Sequence, residues 1–121
     1  MTGRRILELD VPAPCEWINS NDRRHHFAKA KLTKLWREAG RVAALGHEPF
    51  AGKVRIVAHI WKVRGGRWDA ANYWPTVKAA VDGVVSAGVL DDDDWEHVEG
   101  PDMRRGGKGA PRIILTIEEA L

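Results

Sequence analysis

The residues best suited to chemistry are aspartates, namely Asp69, Asp82 and one or two members of the run over residues 91–94. Carboxylates are hard oxygen ligands, and Mg²⁺ commonly takes one or two of them together with water and phosphate oxygens. Hydrolysis of a phosphodiester requires an activated water and neutralisation of charge on the phosphoryl group, and a divalent metal supplies both. These aspartates therefore predict a metal site that cuts the backbone of nucleic acid.

Lys78 accompanies these acids on a predicted helix. It lies four residues before Asp82, so the two side chains share one helix face. They flank the edge of an apolar stripe that contains Val81 and Val85, which predicts partial burial and a fixed pairing. Lys78 is thus a candidate to hold a carboxylate in place or to offset charge in the transition state. An ordinary surface ion pair, which contributes little to stability, explains the same spacing.

Two further features of this segment carry alternatives. Asn72 precedes the helix that Pro75 begins, so we expect it to cap that helix, to orient the site, or to do both. The run of aspartates over residues 91–94 is typical of a solvated turn, and four adjacent aspartates cannot all be ligands. We therefore expect one or two of them to be ligands and the others to belong to the turn.

The spacing of apolar residues predicts the elements that must position this site. Alternation indicates strands, and recurrence every three or four residues indicates helices. The predicted elements are a strand over residues 5–11, a helix over 27–45, a strand over 53–63, a helix from Pro75 to a stop at Gly88, a short strand over 95–99 and a strand over 111–117. Residues 100–110, rich in Gly, Arg and Pro, predict a mobile hairpin loop. The order β-α-β-α-β-β predicts one α+β domain over residues 1–121, with a small mixed β-sheet and two main helices packed on one face.

The charge distribution indicates a polyanionic partner. The net charge is only +2, but residues 1–70 carry 14 Lys and Arg against 7 Asp and Glu, and residues 71–121 carry 5 against 10. A basic half favours nucleic acid, and an acidic half in the same small domain would repel it unless cations bind there. Metal-dependent enzymes that act on nucleic acid meet both conditions.

Basic side chains are the candidate contacts to DNA phosphates. They are Arg23, Arg24, Lys34, Arg37, Arg41 and Arg67. A solvated helix face is the alternative interpretation for those on the first helix. His25 and His26 lack accompanying Cys or His residues at ligand spacing, so the sequence does not favour zinc.

The tryptophans and the cysteine limit the class of protein further. Of six tryptophans, we expect Trp36 and Trp61 in the core, and Trp68 and Trp74 either at its rim or stacked on an unpaired base. The single Cys15 permits no disulfide within the chain, which predicts a reducing cytoplasm. We expect no membrane span and no signal peptide, because no apolar run is long enough.

Taken together, these residues resemble the RusA family of Holliday-junction resolvases, which are common in phages and prophages. The family pattern is an Asp-x-Asp-Asn motif, a helix with Lys and then Asp four residues later, Gly six residues further, and paired aspartates. The corresponding residues here are Asp69-Ala70-Ala71-Asn72, Lys78, Asp82, Gly88 and Asp92-Asp93. The resemblance covers nearly the whole chain, since an opening strand into Pro12, an Asn-rich loop, a basic first helix and a closing strand also correspond.

The resemblance implies a small homodimeric endonuclease that uses Mg²⁺ or Mn²⁺ to cut branched DNA such as a four-way junction. It implies catalytic roles for Asp69, Lys78 and Asp93, and metal ligation by Asp69, Asp82, Asp92 and Asp93. Asp91 and Asp94 are then left as turn residues. It implies no organic cofactor and no membrane, and a place in the cytoplasm of a bacterial or phage-infected cell.

The sequence departs from the family pattern in two places. Ala71 replaces the second motif aspartate, and three extra residues separate Asn72 from Lys78. Either Asp82 or Asp92 replaces the lost ligand, or only one ion binds tightly. Two other functions fit the same residues, namely a DNA-binding relative that has lost cleavage and a nuclease that acts on RNA or flap substrates.

Overall fold

A computed structural model describes residues 4–120, and residues 1–3 and 121 of the predicted domain lie outside the described part. The chain forms an α+β fold in the predicted order β-α-β-α-β-β. Its elements are β1 (Ile6–Pro12), α1 (His26–Ala44), β2 (Val54–Lys62), a 3₁₀ helix (Ala70–Tyr73), α2 (Trp74–Ser86), β3 (Val98–Lys108) and β4 (Arg112–Glu119). Pro75 lies in the first turn of α2, and Gly46 and Gly88 follow the two α-helices, as predicted.

The four strands form one mixed sheet in the order β1-β4-β2-β3. β4 pairs antiparallel with both β1 and β2, and β2 pairs parallel with β3. The parallel pair requires a crossover, which α2 provides. Because α2 runs back along the sheet, the chain after it must return to the start of β3.

One face of the sheet is buried beneath the two helices. The alternating residues of β1, β2 and β4 line up across the strands, so that Leu9 and Ala58 both lie beside Leu115. The fully buried members of this face are Leu9, Val11, Val54, Ile56, Ala58, Ile60, Ile113, Leu115 and Ile117. Trp36 is fully buried as predicted, whereas Trp61 is half-buried on the opposite face of the sheet.

Two glycines allow α1 and α2 to cross at very short distance. A Cβ atom on Gly40 would lie 2.8 Å from the carbonyl carbon of Ala80, and one on Gly83 would lie 2.6 Å from the backbone nitrogen of Arg41. Any side chain at either position would push the helices apart. The close crossing fixes α2, and therefore Lys78 and the residues around it, against the rest of the domain.

The prediction of a short strand over residues 95–99 and a mobile loop over 100–110 was wrong. These residues form β3, an 11-residue strand that pairs with β2 from Val54 to Lys62. Its glycines serve packing, because a Cβ atom on Gly107 would lie 2.7 Å from the ring of Trp61. The indole ring of Trp61 therefore packs directly against glycines of β3, because side chains at those positions would collide with it. None of the helices found in residues 4–120 combines the length and apolar character needed to cross a bilayer.

Candidate active site

The segment that leads into α2 is organised by Asp69. Its carboxylate accepts a hydrogen bond from the backbone N–H of Ala71 at 3.0 Å and so caps the 3₁₀ helix. The predicted cap by Asn72 was wrong, because Asn72 lies inside the 3₁₀ helix and the N-cap of α2 is Tyr73, whose side chain makes no capping bond. Asn72 contributes its backbone carbonyl, which accepts a hydrogen bond from the N–H of Ser20 at 2.7 Å.

Lys78 joins two of the predicted aspartates. Its ammonium donates to Asp82 Oδ1 at 2.7 Å, within α2, and also to Asp93 Oδ2. Asp93 belongs to the segment that follows α2, so this segment folds back along the helix. The carboxylate of Asp92 accepts a hydrogen bond from the backbone N–H of Asp93 at 2.7 Å and fixes the turn locally. We refer to Lys78, Asp82, Asp92 and Asp93 as the α2 acidic cluster.

The charges in this cluster stabilise one another. Partial burial alone would favour the neutral amine of Lys78, but the hydrogen bonds to Asp82 and Asp93 outweigh it and raise the pKa of Lys78. The hydrogen bond from Lys78 is the main cause that lowers the pKa of Asp93. Both groups are therefore charged at neutral pH, as a network of one cation and several carboxylates requires.

The donor chemistry of the cluster suits a hard cation. The carboxylates of Asp82 and Asp93 both contact the ammonium of Lys78, so they lie close together. Two carboxylates, with water as the remaining ligands, are a common Mg²⁺ site in proteins. Within residues 4–120, no group of three or more His, Cys, Asp or Glu side chains is placed to hold a metal ion. Metal ligation by Asp69, Asp82, Asp92 and Asp93 stays a prediction.

The predicted DNA-binding residues occupy different surroundings. Arg23, Lys34 and Arg67 are exposed. Arg37 donates to Ser86 Oγ at 3.0 Å, and Arg41 donates to the Glu38 carboxylate at 2.9 Å. Arg24 pairs with Glu16 at 3.0 Å and with Asp22 at 3.4 Å, inside its own loop.

A group of cations and aromatic rings before Asp69 was not predicted. Lys62, at the end of β2, donates to the hydroxyl of Tyr73 and lies 5.1 Å from the ring centroid of Trp68. The guanidinium of Arg105 lies 4.6 Å from the centroid of the same ring. Both cations therefore sit beside the loop that leads to Asp69, where they raise the local positive potential.

A cavity of about 550 Å³ borders the 3₁₀ helix at Tyr73, and it was not predicted from the sequence. It is formed by the loop between β1 and α1 together with Tyr73. The sequence offered a signal, because Trp17 and Ile18 are large apolar residues inside a loop otherwise rich in polar residues. Ile18 is buried, and its N–H and C=O both bond to Thr76 Oγ1, at 2.8 and 2.7 Å.

No model of a known protein family matches the sequence, and no curated protein matches it significantly.

Proposed function

We propose that this protein is a metal-dependent endodeoxyribonuclease that cuts branched DNA, of the kind that RusA-like resolvases represent. The observation that carries the proposal is the return of Asp93 onto α2, where it meets Lys78 and Asp82. Asp93 is 15 residues from Lys78 in the chain. Spacing along one helix accounts for the pair of Lys78 and Asp82, but only the fold accounts for the third member.

The residues divide the work as follows. Asp82 and Asp93 would hold Mg²⁺ or Mn²⁺, and Asp92 orients the turn that carries Asp93. The metal supplies an activated water and offsets charge on the phosphoryl group when it is bound. Lys78 keeps the carboxylates in position and contributes positive charge where the phosphate would lie. Asp69 is the further acid of the site and lies at the start of the 3₁₀ helix that leads into α2.

The positive surfaces favour a polyanionic substrate. Arg23 and Lys34 are exposed on the loop and helix of the basic half, and Arg67 is exposed on the loop before Asp69. Such side chains bind the phosphate backbone without reading sequence. A homodimer, which the resemblance implies, would supply two sites for paired cuts across a branch point.

A DNA-binding protein without cleavage is the second candidate, and two observations favour it. Ala71 removes one carboxylate from the motif. The ammonium of Lys78 already lies between Asp82 and Asp93, where it neutralises the charge that would attract a metal. Binding to DNA would persist in such a protein because the basic surfaces do not depend on the acidic cluster.

The test compares a synthetic four-way junction with a linear duplex of the same sequence. Each is incubated with the purified protein in Mg²⁺, in Mn²⁺ and in EDTA. The proposal predicts cutting of the junction with either metal, little cutting of the duplex, and none in EDTA. Tight junction binding with no cutting in either metal would contradict the proposed nuclease function and favour the second candidate.

The assignment of Asp69 has its own variant. Asp69→Asn keeps an oxygen that can still cap the 3₁₀ helix, so the fold should survive. The proposal predicts that this variant loses cleavage and retains junction binding. Full activity of Asp69→Asn would remove Asp69 from the site.

A further inference from the structure

The cavity between the loop that precedes α1 and the 3₁₀ helix is a groove that opens widely to solvent and is lined by aromatic and polar residues. Its volume of about 550 Å³ lies within the range of small-molecule and nucleotide sites. Two aromatic residues and four polar residues provide most of its lining. They are Trp17, Tyr73, Asn19, Asn21, Asp22 and Arg24.

The aromatic residues are held rigidly. Trp17 is half-buried, and its ring lies 4.9 Å from that of Trp36, which is fully buried and donates to the backbone carbonyl of Glu16. The ring of Tyr73 meets Trp17 edge to face, with 5.7 Å between centroids. The hydroxyl of Tyr73 is fixed by Lys62. A flat ligand would therefore meet aromatic walls that do not have to be ordered on binding.

The polar residues favour a neutral ligand over a phosphate. The remaining lining residue is Glu16, so the cavity carries two carboxylates, Glu16 and Asp22, against the single guanidinium of Arg24. That guanidinium is already paired with both acids. Carboxylate and amide groups instead match the hydrogen-bonding edge of a nucleobase.

The cavity is connected directly to the candidate active site. Ser20, in the cavity loop, donates its backbone N–H to the carbonyl of Asn72, three residues after Asp69. Thr76 at the start of α2 binds both backbone groups of Ile18. A ligand in the cavity would thus lie beside the segment that carries Asp69.

We propose that this cavity binds a single unpaired nucleobase of branched DNA, with Trp17 as its stacking surface and Asn21 as a partner for its edge. The inference rests on the proposed function, since it assigns a second contact with the same substrate. Proteins that bind single-stranded nucleic acid stack unpaired bases on aromatic side chains, and enzymes that modify a base hold it between aromatic or apolar side chains after it leaves the stack. Here the base would anchor the strand while its phosphates pass the acidic cluster.

The test uses two fluorescent four-way junctions that differ at one position. The first carries one unpaired nucleotide at the branch point, and the second carries an abasic residue in its place. Binding of the full-length protein is measured by anisotropy in EDTA, so that no cutting occurs. The wild-type protein should bind the abasic junction on the order of tenfold more weakly, because stacking of one base is lost.

Variants assign the preference to the cavity. Trp17→Ala should bind both junctions equally, and Trp17→Phe should restore most of the preference because it keeps a flat ring. Trp74→Ala is the matched control, since Trp74 is 41% exposed and does not line the cavity. Asn21 is exposed, so Asn21→Ala should leave the fold intact. It should reduce the preference for the unpaired base about threefold, because one hydrogen bond is lost.

The outcomes separate the two proposals. Equal binding of both junctions by the wild-type protein, or binding of neither, overturns the base site. Retention of the full preference in Trp17→Ala, or its loss in Trp74→Ala, also overturns it, because the base would then stack outside the cavity. A base preference that persists in a protein unable to cut the junction in Mg²⁺ supports the base site and contradicts the nuclease.

Discussion

Replacement of Lys78 by Met and of Asp93 by Asn, separately and together, should reveal a measurable coupling between the two residues. Each single variant removes the same contact, so the double variant should lose less stability than the sum of the two. The coupling energy isolates the contact from other effects of each substitution. It tests whether the segment after α2 truly returns onto the helix.

The expected coupling is about 1 kcal/mol. The side chain of Lys78 is 43% exposed and that of Asp93 is 25% exposed, so solvent screens the pair and the value belongs at the upper end for surface ion pairs. A change of that size shifts the midpoint of thermal unfolding by about 4 °C in a domain of this length. Urea unfolding of the four proteins at pH 7 measures it directly.

The coupling should also depend on pH in one direction. The pKa of Asp93 is lowered in the folded protein, so its contribution is complete above the ordinary pKa of about 3.9 and is lost as pH falls through the folded value. The pKa of Lys78 is raised, so its contribution is lost only as pH rises past about 10.4 and through the folded value. Between these limits the coupling should stay constant.

Asp91→Asn serves as the control, because Asp91 is exposed in the same acidic run and we assign it to the turn. It should show no coupling to Lys78. A coupling between Lys78 and Asp93 that is indistinguishable from zero at pH 7, or equal to that with Asp91, would refute the geometry on which the site rests.

Three further predictions concern the elements around the site. Gly83→Ala should destabilise the domain by about 2–3 kcal/mol in urea unfolding, because its Cβ would collide with the backbone of α1. Thr76→Val should cost about 2 kcal/mol in the same assay, because it leaves the buried backbone groups of Ile18 without their partner. His97 should titrate above its ordinary pKa because of its hydrogen bond to Asp94. The ion pair therefore forms below the raised pKa and is lost as pH rises through it. NMR titration of Asp94→Asn should show a lower pKa for His97.

Each of these predictions has a simple check. Gly52→Ala is the control for the helix crossing, since a Cβ there meets open space, and it should leave stability within about 0.5 kcal/mol. Thr76→Ser keeps the hydroxyl and should retain most of the stability that Thr76→Val loses. An unchanged titration of His97 in Asp94→Asn would show that another group raises its pKa.

Most of the fold could be predicted because its elements are amphipathic. β1, β2, β4 and both helices each bury one face, so their apolar residues recur at the period of the element. β3 could not be predicted in this way. Gly106 and Gly107 leave room for the ring of Trp61 on the neighbouring strand β2. The sequence around these glycines does not show that requirement. Gly40 likewise lowers helix propensity locally but is required by the crossing with α2.

The site was predictable only where local spacing fixed it. The pair of Lys78 and Asp82 follows from helix geometry, whereas the approach of Asp93 depends on the path of the chain after α2. The cap by Asn72 was wrong because a 3₁₀ helix, capped by Asp69, intervenes before α2. The cavity beside Trp17 arises from two segments far apart in sequence, which no single pattern could join.

The most direct test of the account is cleavage of a four-way junction by Asp93→Asn and Asp91→Asn in Mg²⁺. Both substitutions remove one charge from the same acidic run. Of these two aspartates, Asp93 contacts Lys78 and Asp91 does not, among the contacts within residues 4–120. The account predicts that Asp93→Asn binds the junction and loses cutting by a factor of roughly 10² or more, while Asp91→Asn cuts like the wild-type protein. Equal cutting by the two variants would contradict it.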